Sequence, residues 1–238
     1  VLAYGAPHDN RLGVDGEDLP NVFGSNAFVG WYNGHPDFRD LNPDLGVKSA
    51  VIIGVGNVAL DVARVLAKTN SEMSITDLVD YAADAAQSSP VTDIHMLGRR
   101  GPVEAAFTNV ELREMGGLEN AAPIMNPDHL PGKIVADYMS DRDLRLREKN
   151  IETMRSFLDV SLEDKNKRVH FGFFLSPIEI LGQTSVEGVR CERTTVDENG
   201  KVHSTGETVD IPAQIVITCI GSRAFPIDDV PFNDDWGV

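Results

Sequence analysis

The sequence contains few cysteines, and their positions exclude some kinds of site. Cys191 and Cys219 are the two cysteines among 238 residues. They are too far apart to form a Cys-x-x-Cys redox pair or a zinc-ligand set. The six histidines include no pair spaced four residues apart, so their spacing predicts no metal site either. Two isolated thiols are typical of a reducing compartment, and we expect a cytoplasmic protein.

Positive charge and long apolar runs are also scarce. Lys and Arg total 21 against 37 for Asp and Glu, so the net charge is −16 at pH 7. An acidic chain is a poor general binder of nucleic acid, because it repels the phosphates. No run reaches the roughly 18 apolar residues that a transmembrane helix needs. We therefore expect no nucleic-acid partner and no membrane span.

A glycine-rich turn lies within residues 50–64, where small residues follow the pattern G-x-G-x-x-A. A β-branched run precedes Gly54, and a helical pattern follows Gly56. In a strand–turn–helix unit, the first glycine allows the tight turn and the second lets a pyrophosphate approach the backbone. Ala59 keeps helix and strand close, and Asn57 is a favourable N-cap residue. The pattern predicts a dinucleotide site at this helix N-terminus. The alternative is a purely structural turn in an α/β sheet.

Two arginines stand where the second strand of such a unit is expected to end. An NAD site has an acid there, which accepts the ribose hydroxyl. This chain has Arg99 and Arg100 instead, and planar guanidinium groups fit a 2′-phosphate. The gap from the glycine turn exceeds the usual 20 or so residues, because a helical segment near residues 75–87 is inserted. The pair predicts NADP(H) rather than NAD(H); the alternative is a solvated surface pair.

Three motifs together resemble a known family. They are Gly-x-Gly-Asn-Val-Ala-Leu-Asp-Val-Ala-Arg, Gly-Arg-Arg-Gly-Pro and Ala-Phe-Thr-x-x-Glu-Leu-Arg-Glu, beginning at Gly54, Gly98 and Ala106. In these motifs the chain resembles adrenodoxin reductase and its bacterial ferredoxin–NADP reductase relatives. The resemblance runs from the first residue to the last.

The resemblance implies a function and a set of partners. We expect the NADP(H)-binding domain of an FAD-dependent ferredoxin–NADP reductase, which places the nicotinamide for hydride exchange with FAD. Electrons would then pass to a ferredoxin-type iron–sulfur protein. The family's FAD loop has no counterpart in the printed sequence. We therefore expect FAD only in the full-length protein, and an isolated chain that is inactive. The alternatives are a free-standing NADP-binding or sensing module, or a domain of another NADPH-dependent flavoprotein such as a synthase subunit.

The expected fold is α/β: a Rossmann-like dinucleotide-binding domain with a central parallel sheet and an added antiparallel β-meander. The resemblance divides the chain into three parts. Residues 1–46 are expected to connect from an FAD domain of the same polypeptide that is absent here. Residues 47–225 would form the NADP(H)-binding domain, and residues 226–238 would begin the return to the FAD domain.

The resemblance also assigns roles to residues. Val55 stands where the family usually has a polar side chain, although its backbone N–H remains available. Asp61 is expected to be catalytic by pairing with a histidine of the FAD domain; the alternative is favourable placement near a helix N-terminus. For Glu111 the alternative is a solvated helix acid. The expected cofactor-binding residues are Gly54, Val55, Gly56, Asn57, Val58, Arg99, Arg100 and Glu111.

The clearest helical pattern covers residues 141–159. Its apolar residues recur on one face, and three cations fall on the opposite face. That face could receive an acidic ferredoxin, or it could be an ordinary solvated surface. The expected docking residues are Arg142, Arg145 and Lys149, with Arg113 from the Glu-Leu-Arg-Glu segment.

Other segments carry weaker patterns. Residues 1–6 and 214–220 are typical of strands, and residues 168–197 alternate like antiparallel strands. Residues 25–32 and 103–115 favour helices. Three prolines make residues 121–133 typical of a loop.

Overall fold

The computed structural model describes residues 5–233. The strands are β1 (His8–Asp9), β2 (Val22–Gly24), β3 (Ser49–Ile53), β4 (Asp93–Gly98), β5 (Ala121–Met125), β6 (Lys167–Phe173), β7 (Leu175–Leu181), β8 (Gly188–Val196), β9 (Val202–Pro212), β10 (Ile215–Thr218) and β11 (Ser222–Arg223). The α-helices are α1 (Ser25–Tyr32), α2 (Asn57–Ala67), α3 (Asn70–Met73), α4 (Asp80–Ser88), α5 (Asn109–Glu114) and α6 (Asp141–Ser156).

A six-stranded sheet with the order β2-β10-β3-β4-β6-β5 forms the centre, and all its neighbouring strands are parallel. Its β3 residues from Ala50 to Ile53 are buried, as expected for a strand covered on both faces. Because the strands are parallel, their carboxyl ends share one edge. That edge carries the turns that follow Ile53, Gly98 and Thr218.

Different elements cover the two faces of the central sheet. Ile52 and Phe171 pack in the larger core, to which all the α-helices except α3 contribute buried residues. Ile53 and Leu97 point the other way and pack with Val189 of the antiparallel sheet β7-β8-β9. The expected fold class, a parallel sheet with an added antiparallel meander, is confirmed. Strand β2 and helix α1 also belong to the sheet and the larger core.

Residues 121–133 are not a loop throughout, because β5 forms the outer strand of the central sheet. It pairs with β6 alone. Pro123 is tolerated there because an edge strand has one side that needs no N–H donor. The prolines led to the prediction of a loop. At the edge of the sheet, however, a strand tolerates a proline without a backbone N–H.

The expected antiparallel pairing was wrong for the first strand of residues 168–197. Strand β6 runs parallel to β4 and β5 in the central sheet. Its residues Val169, Phe171 and Phe173 are buried, whereas those between them are half-buried. Burial therefore alternates along β6 as it would in an antiparallel strand.

The predicted helices at residues 75–87 and 103–115 are shorter than expected. Helix α4 begins at Asp80, and Ile75 is 88% exposed. Residues 102–104 form a 3-10 turn, and α5 begins only at Asn109. By contrast, α1, α2, α6, β3, β4 and β10 lie close to their predicted positions.

Helix α1 covers the predicted residues 25–32. Gly24 is the N-cap residue, and the Asp9 carboxylate accepts hydrogen bonds from the Asn26 backbone N–H and the Ser25 hydroxyl. Of the strand expected over residues 1–6, residues 5 and 6 form no strand, and residues 1–4 lie outside the described residues. Within residues 5–233, no helix combines the length and apolar character needed to cross a membrane.

Candidate dinucleotide-binding site

The turn between β3 and α2 depends on the first glycine of the motif. Gly54 has φ +138°, a backbone conformation that other residues rarely adopt. A Cβ atom here would overlap the carbonyl oxygen of Cys219. The Gly54 N–H donates a 2.8 Å hydrogen bond to the Leu97 carbonyl. The turn is therefore fixed between the ends of β10 and β4.

The second glycine faces open space. Gly56 has φ −117°, and a Cβ atom added to it would meet nothing within 4 Å. Contacts inside the described chain therefore do not require a glycine here, whereas a close approach of a pyrophosphate to the backbone would require one. Gly56 is the N-cap of α2, whose first N–H groups receive no side-chain cap among the described residues. These N–H groups and the helix dipole suit a phosphate.

The predicted role of Asn57 as a cap was wrong. Asn57 is the first helical residue, and its Oδ1 accepts a 2.7 Å hydrogen bond from the Thr108 N–H. The Ala106 N–H likewise donates to the Val55 carbonyl at 2.8 Å. Residues 105–108 are therefore hydrogen-bonded to the glycine turn and lie directly beside it. Val58 is 45% exposed rather than in the core, so it lies on the open side of the same turn.

Val55, which replaces the usual polar residue of the family, packs against the end of β4. A Cβ atom on Gly98 would lie 3.0 Å from both of its methyl groups. The side chain therefore fills space between the turn and β4, and Gly98 has to stay small beside it.

Arg99 and Arg100 lie just after β4, at the same edge of the sheet as the glycine turn. Both side chains are exposed, and neither forms an ion pair with a described residue. Their backbone is held from the meander side: the Thr194 hydroxyl donates to the Arg99 carbonyl at 2.7 Å, and the Phe174 N–H donates to the Arg100 carbonyl at 3.0 Å. The backbone of the loop is therefore fixed, while its two guanidinium groups remain exposed to solvent.

A largely buried arginine side chain joins two of the predicted site residues. Arg64 of α2 forms ion pairs with Asp61, Glu111 and Glu114, the Glu111 contact being 2.6 Å. Its side chain is only 12% exposed. Burial is the largest single effect and lowers the Arg64 pKa, but the hydrogen bonds to Asp61 and Glu114 and the negative charges of these two groups together outweigh it and raise that pKa. Asp61 and Glu111 are thus held by one cation rather than solvated separately.

Arg64 was not singled out from the sequence. The signal that could have found it is the pair Glu111 and Glu114, which lie three residues apart on α5 and therefore share a face. Two acidic residues on one helix face predict a cation on the neighbouring helix that packs against this face. The sequence alone does not say that this helix is α2.

The predicted docking residues lie on two packed helices. Arg142, Arg145 and Lys149 are exposed on α6, and Arg113 is exposed on α5. The two helices are joined by Asn109, whose amide donates to the Lys149 carbonyl at 3.0 Å. None of the four cations forms an ion pair with a described residue. Acidic residues also occur on α6, so its polar face has mixed charge.

The fold and this edge of the sheet are typical of a dinucleotide-binding α/β protein: a parallel sheet, a glycine turn at a helix N-terminus, and two exposed arginines after the next strand that form no ion pair with a described residue. No protein-family model matches the chain. The chain is 38% identical to the NADPH-ferredoxin reductase FprA of Mycobacterium tuberculosis, over all of this chain and 53% of that protein. It is 37% identical to the mitochondrial NADPH:adrenodoxin oxidoreductase of Arabidopsis thaliana, over all of this chain and 52% of that protein.

A solved structure agrees with these sequence matches. The structure of M. tuberculosis FprA in complex with NADPH aligns with a TM-score of 0.90 at 37% identity, covering 99% of this chain and 52% of that one. The chain is therefore homologous over its whole length to part of the adrenodoxin reductase-like ferredoxin–NADP reductases, and the predicted resemblance is confirmed. It spans about half the length of the curated relatives it matches.

Proposed function

We propose that the chain is the NADP(H)-binding domain of an FAD-dependent ferredoxin–NADP reductase. The observation that carries the proposal is the pairing of an open glycine turn at the α2 N-terminus with Arg99 and Arg100 on the same edge of the sheet. The parent protein would be cytoplasmic. The division into residues 1–46, 47–225 and 226–238, with an FAD domain elsewhere in the same polypeptide, belongs to the same proposal.

Each part of the site has a role toward NADP(H). The backbone around Gly56 and the first N–H groups of α2 hold the pyrophosphate, while Arg99 and Arg100 bind the 2′-phosphate. Glu111 contacts the dinucleotide, and Arg64 holds the Glu111 carboxylate in position. FAD, when bound in the parent protein, accepts the hydride from the nicotinamide and passes on single electrons.

Asp61 is the residue proposed to face the FAD domain. Its side chain is 45% exposed although it pairs with Arg64, so one side of the carboxylate remains open to a partner group. A histidine of the FAD domain could pair with it there. The chain's contribution is placement and charge rather than bond-making.

The proposal predicts a preference for NADP+ over NAD+, and calorimetric titration of the protein with each tests it. Equal affinity for the two would contradict the NADP(H) assignment. The full-length protein, expressed from the complete reading frame, then separates the alternative functions. A flavin spectrum with NADPH-dependent ferredoxin reduction supports the reductase. A flavin that NADPH reduces without ferredoxin reduction indicates another flavoprotein, and NADP+ binding without flavin indicates a sensing module.

We further propose that Arg113, Arg142, Arg145 and Lys149 steer an acidic ferredoxin. A protein of charge −16 would repel such a partner unless cations meet it locally. Electron-transfer encounters are small and weak, and in them charge acts mainly on the association rate.

Reversing these four cations to Glu should slow ferredoxin reduction by the parent protein about tenfold or more at low salt. The defect should shrink as salt screens the charges. The measurement is kcat/KM for ferredoxin across ionic strengths, with NADPH-dependent reduction of a neutral dye expected to stay unchanged.

A matched control reverses four other exposed cations, Arg39, Lys48, Lys133 and Lys201, which changes the total charge equally. This control should lose much less activity toward ferredoxin. If both variants slow equally, overall charge acts and the patch does not; if neither slows, the patch is only a solvated face.

A further inference from the structure

Three potential metal ligands lie together on the central sheet, away from the dinucleotide edge. Asp93 and His95 are two residues apart on β4, so their side chains leave the same face. His170 of β6 lies directly opposite His95 in the register. Each of the three side chains offers one ligand atom, and these atoms all lie within 4.8 Å of one another. His95 precedes Arg99 by about 13 Å of extended strand, so this cluster is separate from the proposed phosphate site.

The contacts of the cluster already hold one ligand in place. His170 Nε2 lies 2.9 Å from Asp93 Oδ1, and the Thr92 hydroxyl donates to the other carboxylate oxygen at 2.8 Å. The His95 and His170 rings are stacked, with centroids 4.4 Å apart and planes inclined by 11°. The Thr92 hydroxyl thus orients the Asp93 carboxylate in the way that an outer-shell partner orients a metal ligand, whereas the contact between His170 and Asp93 would give way to bonds from both groups to an ion.

The cluster is accessible without unfolding. The side chains of His170 and Asp93 are 30% and 43% exposed. The His95 side chain, between the sheet and its neighbour His170, is half-buried. The chain's net charge of −16 also favours the approach of a cation.

We propose that Asp93, His95 and His170 bind a divalent transition-metal ion of the zinc type. Two imidazole nitrogens and one carboxylate oxygen form a donor set that zinc takes at bonds of about 2.0–2.2 Å, with water in the fourth position. A tetrahedral ion of this size needs its ligand atoms about 3.3 Å apart. The two rings therefore turn out of their stack until both lone pairs meet at the ion, a rotation that their partial exposure permits.

The bound ion would fasten β4 to β6. These two strands lead into the loops at Arg99 and Phe174, which join through the Phe174 N–H and the Arg100 carbonyl. The three ligands come together only when β4 and β6 pair in their native register. An ion that binds them therefore stabilises the folded chain by mass action. The inference does not depend on the reductase proposal, because no residue of the phosphate site takes part.

The meander supplies an internal comparison. His203 Nε2 lies 2.7 Å from Asp197 Oδ2, a histidine–carboxylate pair much like that of His170 and Asp93. The described residues contain no third ligand close enough to complete a cluster at this pair. His203→Gln therefore removes an equivalent pair without touching the proposed site.

The test is calorimetric titration with zinc at pH 7, on tag-free, chelator-treated protein carrying the whole printed sequence. We expect the unmutated chain, called the parent in this experiment, to bind one zinc. His95→Gln and His170→Gln should each lose at least about tenfold in affinity, whereas His203→Gln should bind zinc like the parent. Even outer-shell partners typically contribute about 10–100-fold to metal affinity. Zinc at about 100 times its Kd should raise Tm by several degrees in the parent and in His203→Gln, but not in the other two.

Two further measurements keep the outcome decisive. Cobalt(II) should give the intense visible bands of a four-coordinate site in the parent. Asp93→Asn should weaken those bands, and it takes the place of a histidine variant that fails to fold. Circular dichroism without metal checks the fold of each variant. Parent-like zinc affinity in His95→Gln and His170→Gln, or no zinc binding by the parent, would overturn the proposal and leave a hydrogen-bonded histidine–aspartate cluster.

Discussion

Replacing Arg99 and Arg100 together with alanine should weaken NADP+ binding by about 1.5–3 kcal/mol, or about 10–150-fold, with little change for NAD+. Hydrogen bonds to charged groups are worth about this much each, and the exposure of both side chains keeps the total near the value for one. The fold should survive, because the loop is held by its backbone: Thr194 and Phe174 bind the two carbonyl oxygens, and these bonds do not involve the removed side chains.

Calorimetry with NADP+ and NAD+ at one ionic strength measures this effect. Arg142→Ala with Arg145→Ala is the matched control, because it removes the same charge from exposed positions on α6. The control should bind NADP+ nearly as the parent does. A similar loss in both double variants would mean that general charge, rather than a 2′-phosphate site, attracts the ligand.

The part of the site that the sequence predicted is local in the chain. The glycine turn needs a strand, Gly54, Gly56 and the start of a helix, and these follow one another within a few residues. The arginine pair needs only that the next strand end at Gly98. In parallel α/β units these two pieces meet at the same edge, so their proximity follows from the fold class.

The contacts that the sequence did not predict join residues far apart in the chain. Arg64 meets Glu111 and Glu114 only because α2 packs beside α5. His95 and His170 face each other only because β4 and β6 are neighbours in one register. Hydrophobic periodicity gives the face of each element, but it does not give the partner of that face.

The one local error at the site, at Asn57, has a similar cause. Asn57 was expected to cap α2, a role that residue type alone supports. In the structure its side chain accepts from the Thr108 N–H, which leaves Gly56 at the cap position. A cap made by a side chain would have used the helix N–H groups that a phosphate needs. The distant segment at residues 105–108 therefore decides how Asn57 is used.

The two motif glycines should differ sharply in how much stability is lost on replacement by alanine. Gly54→Ala should destabilise the protein by about 3 kcal/mol or more, because it combines a φ of +138° with an overlap between the new methyl group and the Cys219 carbonyl. Gly56→Ala should change the free energy of unfolding by no more than about 1 kcal/mol, because alanine is the poorer N-cap residue but also restricts the unfolded chain. Its backbone conformation suits alanine, and no atom lies within 4 Å of the added group.

Ligand binding should separate the two variants in the other sense. The methyl group of Gly56→Ala lies in the open space at the α2 N-terminus, where we propose that the pyrophosphate approaches the backbone, so NADP+ affinity should fall at least tenfold, or about 1.4 kcal/mol. Urea unfolding and calorimetry on the same preparations measure both quantities. A Gly56→Ala protein that is stable and binds NADP+ like the parent would place the pyrophosphate elsewhere, and a Gly54→Ala protein of parent stability would contradict the close approach of this turn to Cys219. Stability lost at one glycine and affinity lost at the other would show that the first glycine builds the turn and that the second keeps it open to the ligand.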